Sequence, residues 1–125
     1  MNPGMRLLAH GLGSPVANDT LRPAGEPCAP GSKYDRGKPR PELIPPGPLM
    51  DVARVLAFGA AKYAENNWQQ VPHGRWRYLG ASLRHIFAAL DGRKNDEESG
   101  LPHLAHAACC LLFAAWFDAQ EVDRG

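Results

Sequence analysis

Residues 102–120 read PHLAHAACCLLFAAWFDAQ. From Ala107 to Phe117 this stretch holds 11 consecutive apolar residues, with no glycine, proline or charge to interrupt a helix. A membrane span needs roughly 18 or more, so the segment reads as a core helix and a membrane role is not expected. Pro102 occupies a favoured first-turn position, and the helix is predicted to run to about Gln120. Beyond His106 it is apolar nearly all round, and a helix of that kind has to be surrounded. Two further helices in a chain of 125 residues offer few surfaces for that. A partner subunit is expected to supply the rest.

Immediately before this helix, residues 92–100 (GRKNDEESG) form a polar connector. Upstream of it, Leu79, Leu83, Ile86 and Leu90 recur at helical spacing. They predict a helix from about Trp76 to Asp91, stopped by Gly92. Residues 68–74, with Pro72 and Gly74, are predicted as a loop. Leu49, Val52, Ala53, Leu56, Ala60 and Tyr63 share one face of a first helix, from residue 49 to about Asn66-Asn67. Pro48 lies near its start and Asp51 in its first turn, where the helix dipole favours negative charge. β-Branched residues are scarce and no alternating run stands out, so the fold class is all-α.

Ten of the 12 prolines fall in the first 48 residues. Residues 1–31 are therefore expected to be an extended or partly disordered Pro/Gly-rich arm. Residues 32–125 are the helical domain, with 32–48 an ordered loop at its start.

The net charge is +1, from 14 basic and 13 acidic residues. That balance excludes the concentrated basic excess of a duplex nucleic-acid binder, while leaving room for local phosphate pockets. Three cysteines, Cys28, Cys109 and Cys110, make a poor disulfide framework. They read as buried thiols in a reducing cytoplasm. The apolar patch Leu7-Leu8-Ala9 is too short for a secretory leader. Gly11-Leu-Gly13 is not followed by a convincing helix and is no dinucleotide fingerprint.

Two constellations carry chemistry. The first spans residues 84–106. His103 and His106 are three apart and project from one helix face; Asp96 and Glu98 lie just before them, and His85 and Asp91 on or near the end of the preceding helix. An antiparallel helix pair gathers these groups at one end, as a divalent-metal site requires. The plain alternative is a pair of capping or surface histidines beside a solvated Asp-Glu-Glu run. Against it, the two histidines open a segment that is otherwise buried, where polar groups need partners. The second constellation is basic and aromatic: Lys33, Lys38, Lys62, Tyr63, Asn67, Trp68, Arg75, Arg77, Tyr78 and Arg84. Lysine and arginine hold phosphate oxygens. Tryptophan and tyrosine stack on a base, and asparagine reads a base edge. Taken singly, Tyr63 and Trp68 read as core residues and the arginines as solvated; taken together, the set points to a nucleotide.

The string Lys33-Tyr-Asp-x-Gly-Lys-Pro-Arg-x-x-Leu-Ile-Pro resembles the opening of a phage family. Phe58-Gly-Ala-x-Lys-Tyr, Asn67-Trp68, Arg84-His and Asp96-x-Glu-Ser-Gly-Leu-Pro-His-Leu-Ala-His-Ala continue the match in order. The family is the MazZ-like dATP/dGTP diphosphohydrolases, and the resemblance covers roughly residues 32–118. It implies a MazG-like all-α nucleotide pyrophosphohydrolase, a homodimer or homotetramer in the host cytoplasm. Such an enzyme uses Mg²⁺ or Mn²⁺ to convert a deoxynucleoside triphosphate to the monophosphate and pyrophosphate. In phages that replace adenine with 2-aminoadenine, it would supply dGMP for the modified nucleotide. The wider MazG group carries Glu-x-x-Glu on one helix and Glu-x-x-Asp on the next. Here His103-x-x-His106 stands in the second position, no Glu-x-x-Glu precedes it, and His85 lies roughly in the first. Mg²⁺ prefers oxygen ligands, so a histidine-containing site favours Mn²⁺ or another transition metal. Alternatively, Asp96 and Glu98 hold the metal while the histidines orient water or phosphate.

The expected activity is metal-assisted hydrolysis of dGTP or dATP. Asp96, Glu98, His103, His106 and His85 are the candidate ligands. Glu98, Asp96 and His103 are the candidate catalytic groups, a carboxylate among them serving as general base. Lys33, Lys38, Lys62, Tyr63, Asn67, Trp68 and Arg84 are the candidate substrate contacts. The rivals are a non-catalytic nucleotide-binding or regulatory helical module, and a helical interaction protein with structural zinc.

Overall fold

The computed structural model describes residues 28–124, with side chains as far as residue 120. Most of the expected N-terminal arm, residues 1–27, lies outside the described residues, as do Leu7-Leu8-Ala9 and Gly11-Leu-Gly13. Two compact units are distinguished, the first ending at Leu43 and the second beginning at Ile44. The described part of the first unit is built of turns, with Gly31 and Gly37 at positive φ and a short 3-10 turn over Pro41–Leu43. Local ion pairs, Lys33–Asp35 at 3.0 Å and Arg40–Glu42 at 3.3 Å, decorate it.

The second unit is helical. Its elements are α1 (Pro46–Lys62), α2 (Gly74–Leu90) and α3 (His103–Arg124). Among the described residues the β-pairing is confined to one isolated bridge, Asn95 with Pro102. The fold is all-α. No helix among the described residues is long and apolar enough to cross a membrane.

Helix α1 begins three residues before the predicted Leu49, because Pro46 and Pro48 fit the first turn, where a missing N–H leaves no bond unmade. The earlier start moves Asp51 into the second turn, where it pairs with Arg54 at 2.8 Å instead of meeting the helix dipole. The helix stops at Lys62, short of Asn66-Asn67. Tyr63 leaves helical geometry, and Asn66 takes a left-handed conformation that asparagine tolerates. Asn67–Gln70 then forms a 3-10 turn, running from the predicted helix end into the stretch predicted as loop. That turn carries Trp68 onto Phe113 of α3, ring against ring at 4.1 Å and 10°.

Helix α2 starts at Gly74, two residues before the prediction. Gly74 is buried beneath the Phe117 ring, where a Cβ would collide. At the far end Gly92, φ +86°, supplies the predicted stop. Its N–H bonds the Ala89 carbonyl at 3.0 Å, and the Arg93 N–H bonds the Ala88 carbonyl at 3.0 Å. These are the paired bonds of a Schellman motif, which uses two carbonyls the helix end would leave unpaired. Pro102 caps α3 rather than occupying its first turn, and the helix runs past Gln120.

Helix α3 is the hub, packing along α2 and more briefly against α1. The fully buried residues of α2 and α3 are mostly small, among them Ser82, 1% exposed, with Ala88, Ala107 and Ala114, while Tyr78 of α2 packs its ring against Phe113 and Phe117 of α3. Ser82 Oγ donates across the α2–α3 interface to the Ala107 carbonyl at 3.2 Å. Helix α1 adds Val52 and Val55 against Ala105 and Cys109. The helices are therefore rotated from the predicted stripes. Of the α1 stripe only Val52 is buried, while Leu49, Leu56 and Tyr63 are exposed; in α2, Leu83 and Leu90 are exposed. Where two backbones approach closely enough for a serine to bond the opposite carbonyl, leucine does not fit. Helix α3 likewise is not surrounded within one chain, since Leu104, Leu111 and Leu112 face outward.

Candidate metal centre and adjoining cleft

The Schellman turn sends the chain back along the end of the bundle. The connector folds on itself: Asp96 N–H bonds the Leu101 carbonyl and His103 N–H the Lys94 carbonyl, each at 2.8 Å. Within that hairpin the Ser99 backbone N–H donates to Asp96 Oδ2 at 2.9 Å. Asp96 is thus half-buried beside the first turn of α3, while its neighbours Glu97 and Glu98 are exposed.

His85 comes from the penultimate turn of α2 and His103 opens α3. Their Nδ1 atoms lie 2.9 Å apart. One donor atom each from His85, Asp96 and His103 falls within 4.8 Å of the others. His106, one turn further along α3, stacks on the His85 ring at 4.6 Å and 16°. Its Nε2 is 2.6 Å from Ser99 Oγ and 3.9 Å from Asp96 Oδ2.

Burial, and then the neighbouring imidazoles His106 and His103, lower the pKa of His85 below the ordinary histidine value. Burial also lowers that of His106, against the pull of Asp96. At Asp96 burial works upward, but the Ser99 backbone and hydroxyl donors and the nearby histidines outweigh it, and the net shift is downward. Neutral imidazoles and an ionised carboxylate are the protonation states metal ligation needs. The geometry fits as well, since two ligands at right angles, about 2.1 Å from one ion, lie about 3 Å apart. A donor set of two nitrogens and one oxygen suits Mn²⁺ or another transition metal better than Mg²⁺.

Glu98 is not one of the three converging donors, though its charge acts on His106. It forms an ion pair with Lys62 at the end of α1, and that bond to Glu98 raises the Lys62 pKa. Lys33 and Lys38 belong to the first unit, where Lys33 pairs with Asp35.

A cleft of about 810 Å³ opens between the C-terminal half of α1, the 63–71 segment, α2 and α3. Tyr63, Asn67, Trp68 and Arg84 all line it, joined by Arg77, Tyr78 and the single carboxylate Glu65. Phe113 covers one face of the Trp68 indole. The metal-side residues do not line the cleft. Arg84 and Cys109 do, and they stand next to His85 and one turn beyond His106 respectively. Cys109 and Cys110 are neutral thiols, pushed by burial up to about 12 and about 11. Cys28, expected to be buried, is exposed.

Sequence reasoning did not single out Ser99. Its signal was the Asp96-x-x-Ser99 spacing, at which an aspartate side chain accepts from a backbone N–H further along a turn.

The chain is a member of the family described as dATP/dGTP diphosphohydrolase, N-terminal, which it matches over residues 28–124. It is 43% identical over 86 residues to the dATP/dGTP diphosphohydrolase of Salmonella phage PMBT28, covering 69% of this chain. The aligned part spans 29% of that relative, less than a third of its length. No solved structure matches the chain.

Proposed function

We propose that this chain hydrolyses purine deoxynucleoside triphosphates, dGTP and also dATP, to the monophosphate and pyrophosphate with the help of a divalent ion. The observation that carries the reading is the convergence of His85, Asp96 and His103 beside an aromatic and basic cleft. The cleft's volume, about 810 Å³, is in the usual range for small-ligand pockets. Arg77 and Arg84 offer guanidinium donors for phosphate oxygens. Tyr63, Asn67 and Trp68 offer stacking and edge contacts to a base. The family membership and the relative's name support the nucleotide class.

His85, Asp96 and His103 would hold the ion. When bound it would neutralise phosphate charge and acidify a water. Asp96 keeps its negative charge through the Ser99 donors, and His106 stays neutral. The dGMP released would feed synthesis of a 2-aminoadenine nucleotide in the host cytoplasm of a phage.

The same reading includes a homodimer or homotetramer. Trp76, Leu83, Phe87 and Leu90 share an exposed face of α2, and Leu104, Leu111 and Leu112 are exposed on α3. Apolar stripes of this kind usually mark an interface.

The test is product analysis with each of the four dNTPs, Mn²⁺ or Mg²⁺, with and without chelator. Release of dGMP or dAMP with pyrophosphate, only when metal is present, is the expected result. Free nucleoside with triphosphate would replace the reaction. No turnover of any nucleotide would leave a binding module.

A further inference from the structure

Three hydrogen bonds meet at Ser99. Its backbone N–H donates to Asp96 Oδ2 at 2.9 Å, and its hydroxyl oxygen accepts the Leu101 N–H at 3.1 Å. The hydroxyl also lies 2.6 Å from Nε2 of His106. With the Leu101 N–H on one lone pair, the rest of the hydroxyl's hydrogen-bonding capacity is shared between His106 Nε2 and the Asp96 carboxylate. The Nε2 of His106 is thereby engaged by a protein hydroxyl. The His106 ring in turn lies flat on the ring of His85, 4.6 Å away and 16° from parallel.

We propose that Ser99 is a positioning residue for the metal centre, acting on two ligands at once. Through its backbone it aims the Asp96 carboxylate. Through the clamp on His106 it sets the plane of the His85 ring. His106 is then a wall of the site and not a ligand, and the two histidines of the His-x-x-His pair have different work. The inference rests on the metal centre proposed above and deepens it. Partners that orient a ligand typically contribute 10- to 100-fold in affinity or activity.

The test uses the full chain and Mn²⁺ alone as probe, with free Mn²⁺ followed by its paramagnetic signal. S99A keeps the backbone donor to Asp96 and loses the hydroxyl, with its contacts to His106 and the Leu101 N–H. It is expected to weaken Mn²⁺ binding roughly 10-fold or more, with S99T restoring most of the loss. H106F keeps a flat ring but has no nitrogen. It should retain Mn²⁺ far better than H103A, and S99A should add little to it. Ring-nitrogen NMR of the metal-free protein should find His106 in a single tautomer in the native chain and that preference lost in S99A. Unchanged Mn²⁺ binding in S99A would overturn the proposal. So would an H106F loss as large as that of H103A, or no Mn²⁺ binding by the native chain. A native chain that binds Mn²⁺ but hydrolyses no nucleotide would overturn the proposed activity alone, since the Ser99 effect is read from the metal.

Discussion

His85 and His103 meet through nitrogens 2.9 Å apart, with His106 stacked on the first of them. A proton on His85 or on His106 is disfavoured by the neighbouring imidazoles. The lowered pKa values of His85 and His106 have that cause as well as burial. A histidine whose folded pKa lies below the unfolded value, near 6.5, takes up protons more readily when unfolded. Its stabilising effect is complete above about pH 6.5 and lost as pH falls through the folded values. Urea titrations of the metal-free protein should therefore show stability dropping as pH is lowered below about 6.5. H85F should flatten that slope. Asp96 acts in the same sense at more acid pH, its contribution being lost as pH falls below the ordinary carboxylate range. D96N is expected to weaken Mn²⁺ binding by more than about 10-fold, read by metal titration. Glu98 contrasts with it. As the exposed partner of Lys62, its replacement by alanine should leave turnover within about threefold, as the small worth of exposed ion pairs implies. Loss of turnover in E98A would return Glu98 to the catalytic groups.

At the scale of elements, the site depends on the separation of α2 and α3, because His85 and His103 sit on different helices. Ser82 and Ala107 set that separation. S82A should cost about 1 kcal/mol for the lost hydrogen bond and leave the site intact. S82L has to push the helices apart and should cost about 1–3 kcal/mol. Chemical denaturation gives both values, and S82L should also lose Mn²⁺ affinity. Gly74 is the corresponding point at the other end. Phe117 above it is hemmed in by Trp68, Tyr78 and Trp116, so G74A cannot be relieved by a simple swing of that ring. The helices themselves were legible in the residues, since period, proline and Gly92 are local signals. Their rotation was not. The larger residues of each stripe read as core, yet in α2 the buried positions are Gly74, Ser82 and Ala88. Which face is inward depends on how closely the partner helix can approach.

For the whole molecule, the outward leucines of α2 and α3 leave the hub helix incompletely covered. In the proposed homo-oligomer, L83E with F87E should shift the sedimenting species toward the 13.6 kDa monomer. No change in mass would put the interface elsewhere. The all-α class, the order of the helices and the gathering of His85, Asp96, His103 and His106 could be read from the chain. Those four residues lie within 22 positions and flank one connector, so local folding already brings them near each other. The cleft is different. Tyr63, Trp68, Arg84 and Phe113 come from four segments, and only packing makes them one wall. Ser99 belongs to the same category, because a serine in a polar connector looks solvated until the hairpin turns it toward His106. Periodicity and turn chemistry act between neighbours in the chain and are written there. Facing, separation and enclosure arise between segments, and exist only once the helices have closed on one another.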